Sequence, residues 1–264
     1  MIEISNIHVT FGKGTPLENR AIQGISLRIP KGEFVTVIGS NGAGKSTLLN
    51  VLAGDTLCDC GRIRFGDKDC TRQVTHRRAT RVARVFQDPK AGTCENLTIA
   101  ENMSLANKRG QSRWLRGAHR QSDIELFRER LAHLDLGLEN RLDDQMGLLS
   151  GGQRQAVSLV MATLQPSDIL LLDEHTAALD PKTAGFVMNL TEQIIAEQNL
   201  TALMVTHSMK QALDVGSRTL MLHEGKIAFD VANPERKNLG VNDLLRLFEE
   251  TKGEELTDDN LLLE

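Results

Sequence analysis

Apolar residues near the amino terminus recur two apart: Ile2 and Ile4, Ile7 and Val9, then Ile25, Leu27 and Ile29. Such alternation predicts half-buried strands, and the turn-forming stretches GKGTP at 12–16 and PKG at 30–32 fold them into a meander. Phe34 to Ile38 is a short β-rich run that leads into GSNGAGKST at 39–47, and Leu48, Leu49, Val51 and Leu52 then follow helical spacing as far as Gly54. VARVF at 82–86 predicts another core strand. From about 95 to 148 charges multiply and strand signals fade, which predicts a separate helical lobe. Strand and helix patterns then alternate. DILLLD at 168–173 precedes a helix over 181–198 in which Val187, Leu190 and Ile194 share a face. LTALMV at 200–205, a helix over 208–214 and a strand over 218–223 complete the series. That order argues for an α/β fold, with a mostly parallel sheet wrapped by helices behind an antiparallel β subdomain.

Composition narrows the reading. The 264 residues are 40% hydrophobic, enough apolar mass for a sizeable core. A net charge of −4 gives no bulk attraction to nucleic acid, and none is expected as a partner. Apolar runs such as Ile169 to Leu172 are too short to span a bilayer. The start, MIEISNIHVT, lacks the basic end and apolar core of a signal peptide, so a soluble chain inside the cell is expected. From Glu249 the tail carries seven acids against one lysine, the pattern of a solvated helix or frayed end. Cys58 and Cys60 are close together, but no second close pair and no histidine at ligand spacing accompany them. Free reduced thiols, with Cys70 and Cys94, are expected ahead of a metal.

Two segments carry chemistry. Residues Gly39, Ser40, Asn41, Gly42, Ala43, Gly44, Lys45, Ser46 and Thr47 fit G-x-x-x-x-G-K-[ST] at every fixed position, between a strand and a helix. Glycines let backbone N–H groups close on phosphate oxygens, Lys45 reaches the β and γ phosphates, and the Ser46 hydroxyl ligates magnesium. In ILLLDE at 169–174, an apolar strand ends in two carboxylates. Either these are solvated acids at an ordinary strand end, or Asp173 holds magnesium through water and Glu174 takes a proton from the attacking water. A third segment, SGGQ at 150–153, opens an apolar helix and offers a second anion grip.

Together these residues resemble the ATP-binding-cassette (ABC) family of ATPases, whose signature is the LSGGQ found at 149–153. Its other marks occur in order: Gln87 after VARVF as the glutamine loop, Ala178-Leu179-Asp180 as the D-loop, and His207 after LMVT as the switch histidine. Phe11 stands where the family places an aromatic, more usually tyrosine, against adenine; packing at a strand edge is its other reading. The resemblance spans roughly residues 1–230. It implies a P-loop core over 1–250 with a helical signature subdomain at about 90–165, and an acidic tail at 251–264. It also implies ATP and magnesium as cofactors, with Glu174, His207 and Gln87 catalytic and Ser46, Gln87 and Asp173 around the metal. In a head-to-tail C2 homodimer, Ser150, Gly151, Gly152, Gln153 and Asp180 would close on the ATP held by the other subunit's P-loop.

The implied function is the ATPase subunit of an importer, peripheral on the cytoplasmic membrane face through permease subunits and served by a separate solute-binding protein. A soluble ABC ATPase in iron–sulfur cofactor assembly is the alternative at this length. Two departures stand out. His175 replaces the usual proline and puts a titratable ring beside Glu174, so a changed rate or pH response is expected. After the signature the helix reads AVSLVMATL, where Val157, Val160, Met161 and Leu164 share a face. It is similar to a branch of bacterial ATPases linked to uptake of aromatic amino acids or related solutes. Basic stretches at 72–84 and 108–120 are either solvated faces or docking sites near anionic headgroups. Trp114 in the second is either an anchor for that contact or a core residue.

Overall fold

The computed structural model describes residues 1–110 and 121–252. Trp114, most of the second basic stretch and the tail beyond 252 lie outside the described residues. In chain order the elements are β1 (Ile2–Phe11), β2 (Asn19–Ile29), β3 (Phe34–Gly39), α1 (Lys45–Ala53), β4 (Cys60–Phe65), β5 (Lys68–Asp69), α2 (Thr75–Arg78) and β6 (Val82–Val85). There follow α3 (Ile99–Asn107), α4 (Gln121–Ala132), α5 (Gly151–Thr163), β7 (Ile169–Asp173), α6 (Pro181–Glu197), β8 (Ala202–Val205), α7 (Met209–Asp214), β9 (Arg218–His223), β10 (Lys226–Ala232) and α8 (Val241–Lys252). None of these helices is long and apolar enough to cross a membrane. The described residues form two compact units, one from 1–78 with 199–252, the other from 79–110 with 121–198.

In the first unit the expected meander forms an antiparallel sheet in the order β2-β1-β4-β5. Its apolar spacing slips from two to three between Ile4 and Ile7, and the pairing of β1 with β2 shifts register there, with Asn6 at φ 47. A bulge is what lets Ile2, Ile4, Ile7 and Val9 all stay buried, because an uninterrupted strand would turn the second pair outward. β3 lies parallel to β8 on one side and β9 on the other, and β10 pairs antiparallel with β9. The structure adds α8 to the expected elements. Its Leu244 and Phe248, four apart, pack on Ile38, Met209, Ala212 and Met221.

In the second unit β6 and β7 pair in parallel, with Ala83 opposite Leu170. Among its described residues, the expected helical lobe is helical only in part. After α4 the chain turns at Asp135 and Gly137, both with positive φ, and runs through short 3₁₀ turns to Leu149. α5 is buried almost all round, including the polar Arg154, Gln155 and Ser158. The buried face of α6 also differs from the expectation. Val187 and Leu190 are buried, but Ile195 takes the place of Ile194, because the stripe runs at fourfold spacing through the fully buried Thr191.

Candidate active site

In the first unit the site grows from β3, which is buried at all six positions and delivers the chain to the glycine loop. A Cβ on Gly39 would lie 2.2 Å from the Leu222 carbonyl oxygen, and one on Gly44 would lie 2.5 Å from that of Ala21; their φ values are 148 and 101. Only glycine fits either position. The loop is drawn tight by the Ala43 N–H donating to the Ser40 carbonyl at 3.1 Å, and Gly44 caps α1. Lys45 is 5% exposed, and its Nζ donates to the carbonyls of Gly39 at 2.7 Å and Ser40 at 3.1 Å. A held ammonium beside a helix N-terminus concentrates positive potential where Asn41, Gly42 and Ser46 are open to solvent.

Sequence reading missed the group that fixes the far end of α1. Arg78 is fully buried and donates to the carbonyls of Val51, of Leu52 at 3.0 Å and of Cys70 at 2.6 Å. Burial lowers its pKa, yet a guanidinium remains charged and satisfies the negative end of the helix dipole. Phe11, at the end of β1, is 45% exposed. A cleft of about 560 Å³ on the same meander is lined by His8, Thr10, Arg20, Gln23 and Lys226 and takes in none of the motif residues. His207 is exposed two residues past β8, directly before Ser208, the N-cap of α7.

In the second unit β7 is buried from Ile169 to Leu172 and ends at Asp173. Asp173 is not simply solvated. Its Oδ2 accepts from Arg84 Nη2 at 2.6 Å, both side chains are about 15% exposed, and the Arg84 guanidinium lies 4.7 Å over the Phe86 ring. Arg84 was legible only as the one charged residue inside VARVF. Gln87 follows this strand and is exposed, and the Gln155 side chain of α5 donates to the carbonyl just before it, that of Phe86, at 3.2 Å. Glu174 adopts a left-handed backbone, φ 45, unusual for a glutamate.

Beside it, His175 corrects an expectation. The ring is 1% exposed and bonds Thr191 Oγ1 at 2.9 Å, and burial pushes its pKa down to about 4. It stays neutral around pH 7 and gives no titration beside Glu174 there.

The signature opens α5 through a reciprocal cap. Ser150 Oγ accepts from the Gln153 N–H at 3.3 Å, and Gln153 Oε1 accepts from the Ser150 N–H at 3.2 Å. Ser150 and Gly151 are exposed, whereas Gly152 is buried. Arg154, next along, bonds Glu95 at 2.6 Å and the Gly147 carbonyl at 3.1 Å, and this guanidinium holds the Glu95 carboxyl below its usual range. Asp180 caps α6, its Oδ1 accepting from the Thr183 N–H at 3.2 Å, and hydrogen bonds from the Thr183 side chain and then its backbone lower the Asp180 pKa. Its carboxylate therefore has a structural task in addition to any contact with nucleotide.

The donor sets suit a magnesium nucleotide. Glycine positions that a Cβ would fill, together with a buried ammonium, suit a polyphosphate. The Ser46 hydroxyl and the Asp173 carboxylate are hard oxygen ligands of the kind magnesium takes. Cys58 and Cys70 are buried thiols and Cys60 and Cys94 exposed ones.

A family model described as ABC transporter matches residues 22–177. The chain is 43% identical over 251 residues to a tyrosine transport ATP-binding protein of Clostridioides difficile (strain R20291), covering 94% of this chain and 99% of that one. It is 34% identical over 236 residues to the phosphonates import ATP-binding protein PhnC of Chromohalobacter salexigens, covering 88% and 84% of the two chains. Among solved structures, a dimeric post-hydrolysis state of the ATP-binding cassette MJ0796 bound to ADP and Pi superposes with a TM-score of 0.73. It shares 27% identity over 88% of this chain and 98% of that one.

Proposed function

The chain belongs to the ABC transporter family and is an ATP-hydrolysing cassette, and from that premise we propose that it drives import of tyrosine or a closely related amino acid. The full-length match to a tyrosine transport subunit carries this reading; relatives named for phosphonates and aliphatic sulfonates are less similar. The relatives are named for transport or import, which favours a transporter over cofactor assembly. The chain works on the cytoplasmic face of the membrane, bound to separate permease subunits and fed by a separate solute-binding protein. Residues 1–250 act as one cassette, with the part at about 90–165 serving as its helical subdomain.

Each residue has a task in this proposal. Phe11 stacks on adenine. The loop from Gly39 to Thr47 wraps the phosphates, and Lys45 neutralises the β and γ groups. Magnesium, when bound, would offset phosphate charge, and Ser46, Gln87 and Asp173 are the residues that would hold it. Glu174 takes the proton of the attacking water, and His207 steadies the γ-phosphate side. Ser150, Gly151, Gly152, Gln153 and Asp180 of one subunit close on ATP held by the other. What supports that closure is an exposed Gly151 at a helix N-terminus whose own capping groups are already satisfied.

Uptake of labelled tyrosine into cells or proteoliposomes carrying the native permease tests the solute. It should need this chain and be lost with Lys45→Ala. Tyrosine uptake that is indifferent to the chain, with labelled phosphonate or sulfonate uptake dependent on it, overturns the assignment.

A further inference from the structure

Glu174 is held in a left-handed conformation, φ 45, which a side chain with a Cβ adopts only where its surroundings enforce it. Two hydrogen bonds bear on the peptide that follows. The Ala177 N–H donates to the Glu174 carbonyl at 2.9 Å, closing a turn. The His175 ring, 1% exposed, bonds through Nε2 to Thr191 Oγ1 at 2.9 Å.

The direction of this second bond depends on the His175 tautomer, and the Thr191 hydroxyl favours one of the two. Thr191 has one hydroxyl proton, and it is donated to the Val187 carbonyl, 2.8 Å away and four residues back in α6. With that proton directed at Val187, the Thr191 oxygen accepts from His175 in the tautomer that carries its proton on Nε2, the tautomer assigned to this ring. Because His175 is the next residue after Glu174, an anchored ring restrains the His175 Cα and, through it, the peptide between them. α6 supplies the anchor, since Thr191 is fully buried on its core face between Val187 and Ile195. Filling space alone requires no donor at Nε2.

We propose that His175 is a positioning residue: its Nε2–H bond to Thr191 ties the peptide after Glu174 to α6 and so aims the Glu174 carboxylate at the attacking water. This rests on the reading of Glu174 as the general base. A buried donor–acceptor pair next to the reacting carboxylate gives α6 a direct hold on catalytic geometry that proline, lacking a side-chain donor, does not provide.

The test uses the full chain with four substitutions. Glutamine places an amide N–H close to where histidine has Nε2–H, so His175→Gln keeps the bond; His175→Leu keeps the bulk without it. Thr191→Ser keeps the acceptor and Thr191→Val removes it. His175→Leu and Thr191→Val should each lower kcat ~10–100-fold, the scale of a misplaced catalytic group, with KM for ATP unchanged. His175→Gln and Thr191→Ser should recover most of it, and the double variant His175→Leu/Thr191→Val should be no worse than either single one. In nucleotide-free, magnesium-free protein, the Ala177 amide should exchange with deuterium faster in the two bond-breaking variants, while the amides of residues 42–47 are unchanged.

The inference fails if His175→Gln loses as much kcat as His175→Leu, if Thr191→Val keeps wild-type kcat, or if Ala177 exchange is unmoved. If His175→Leu does not fold, the Thr191 pair still decides. A Glu174→Gln chain that turns over normally sinks the base assignment itself. One that is inactive beside a fully active Thr191→Val sinks only the role of His175.

Discussion

The two signature glycines should respond oppositely to the same small change. A Cβ on Gly152 would sit 2.1 Å from Thr183 Cγ2, whereas one on Gly151 would meet Leu179 Cδ2 at 3.5 Å, an ordinary contact. Neither residue has a positive φ, so alanine is allowed by the backbone at both. Gly152→Ala must push Thr183 aside at the start of α6, and overpacking of this kind costs ~1–3 kcal/mol. Gly151→Ala meets no such obstacle. Removing glycine from the first turn of a helix should stabilise the fold by up to ~1 kcal/mol, or roughly 2–4 °C in Tm. Glycine at 151 therefore gives the isolated chain no stability, and what it offers instead is an open backbone. Under the proposed closure the other subunit's ATP has to approach the exposed backbone at Gly151. Gly151→Ala should therefore raise the Tm of the isolated chain while lowering ATP-dependent dimerisation and kcat. Gly152→Ala should lower the Tm, and Gly152→Ala/Thr183→Ser should regain it. Differential scanning fluorimetry and light scattering with ATP read both sides. A Gly151→Ala chain that is more stable and also fully active would refute the argument.

Other outcomes follow from single contacts. Phe11→Ala should raise KM for ATP, since stacking on a base is worth ~1–3 kcal/mol. It should leave Tm unchanged because the ring is 45% exposed; steady-state kinetics and a melting curve check both. Arg84→Met strands the Asp173 carboxylate that Arg84 now holds at 2.6 Å. It should lower stability in urea by ~3 kcal/mol without magnesium, partly recovered when magnesium and ATP are added. In magnesium-free, nucleotide-free buffer His175 should make the fold sensitive to acid. Its pKa is about 4 when folded and 6.5 as a free side chain, so the unfolded chain binds the extra proton. Its contribution is fully present above pH 6.5 and is lost as pH falls towards 4, ~3 kcal/mol in all. His175→Gln should flatten that slope in urea titrations across the same range.

Much of the fold is legible because its strands obey simple period rules. β3, β7 and β8 are short apolar runs bounded by breakers, and the glycine loop is set by fixed residue types. What stays hidden is what depends on long-range partners. Nothing near Asp173 in the sequence announces Arg84, 89 residues away, except a charge inside a core strand. Ile194 looks as good a core residue as Ile195, because the placement of the stripe is decided by Thr191, whose hydroxyl is paid for by His175. The departure at His175 is visible from sequence, but its direction is not: a ring expected to titrate beside Glu174 is buried against α6 instead. α8 is signalled by Leu244 and Phe248 four apart, a weak pattern beside the strongly acidic residues that follow.

The central claim is that the signature of one subunit grips the ATP bound to the loop of another. Glu174→Gln keeps the shape of the side chain and removes the proton acceptor, which should slow hydrolysis by ~10²–10⁴ and leave ATP intact. Size-exclusion chromatography with light scattering, with and without ATP, should then show a shift from monomer to dimer. Gly151→Asp in the same background should abolish the shift, because a carboxylate would face the γ-phosphate, while ATP binding to the monomer through Lys45 persists. A Glu174→Gln chain that binds ATP and stays monomeric, or one that dimerises equally well with Gly151→Asp, would contradict the account.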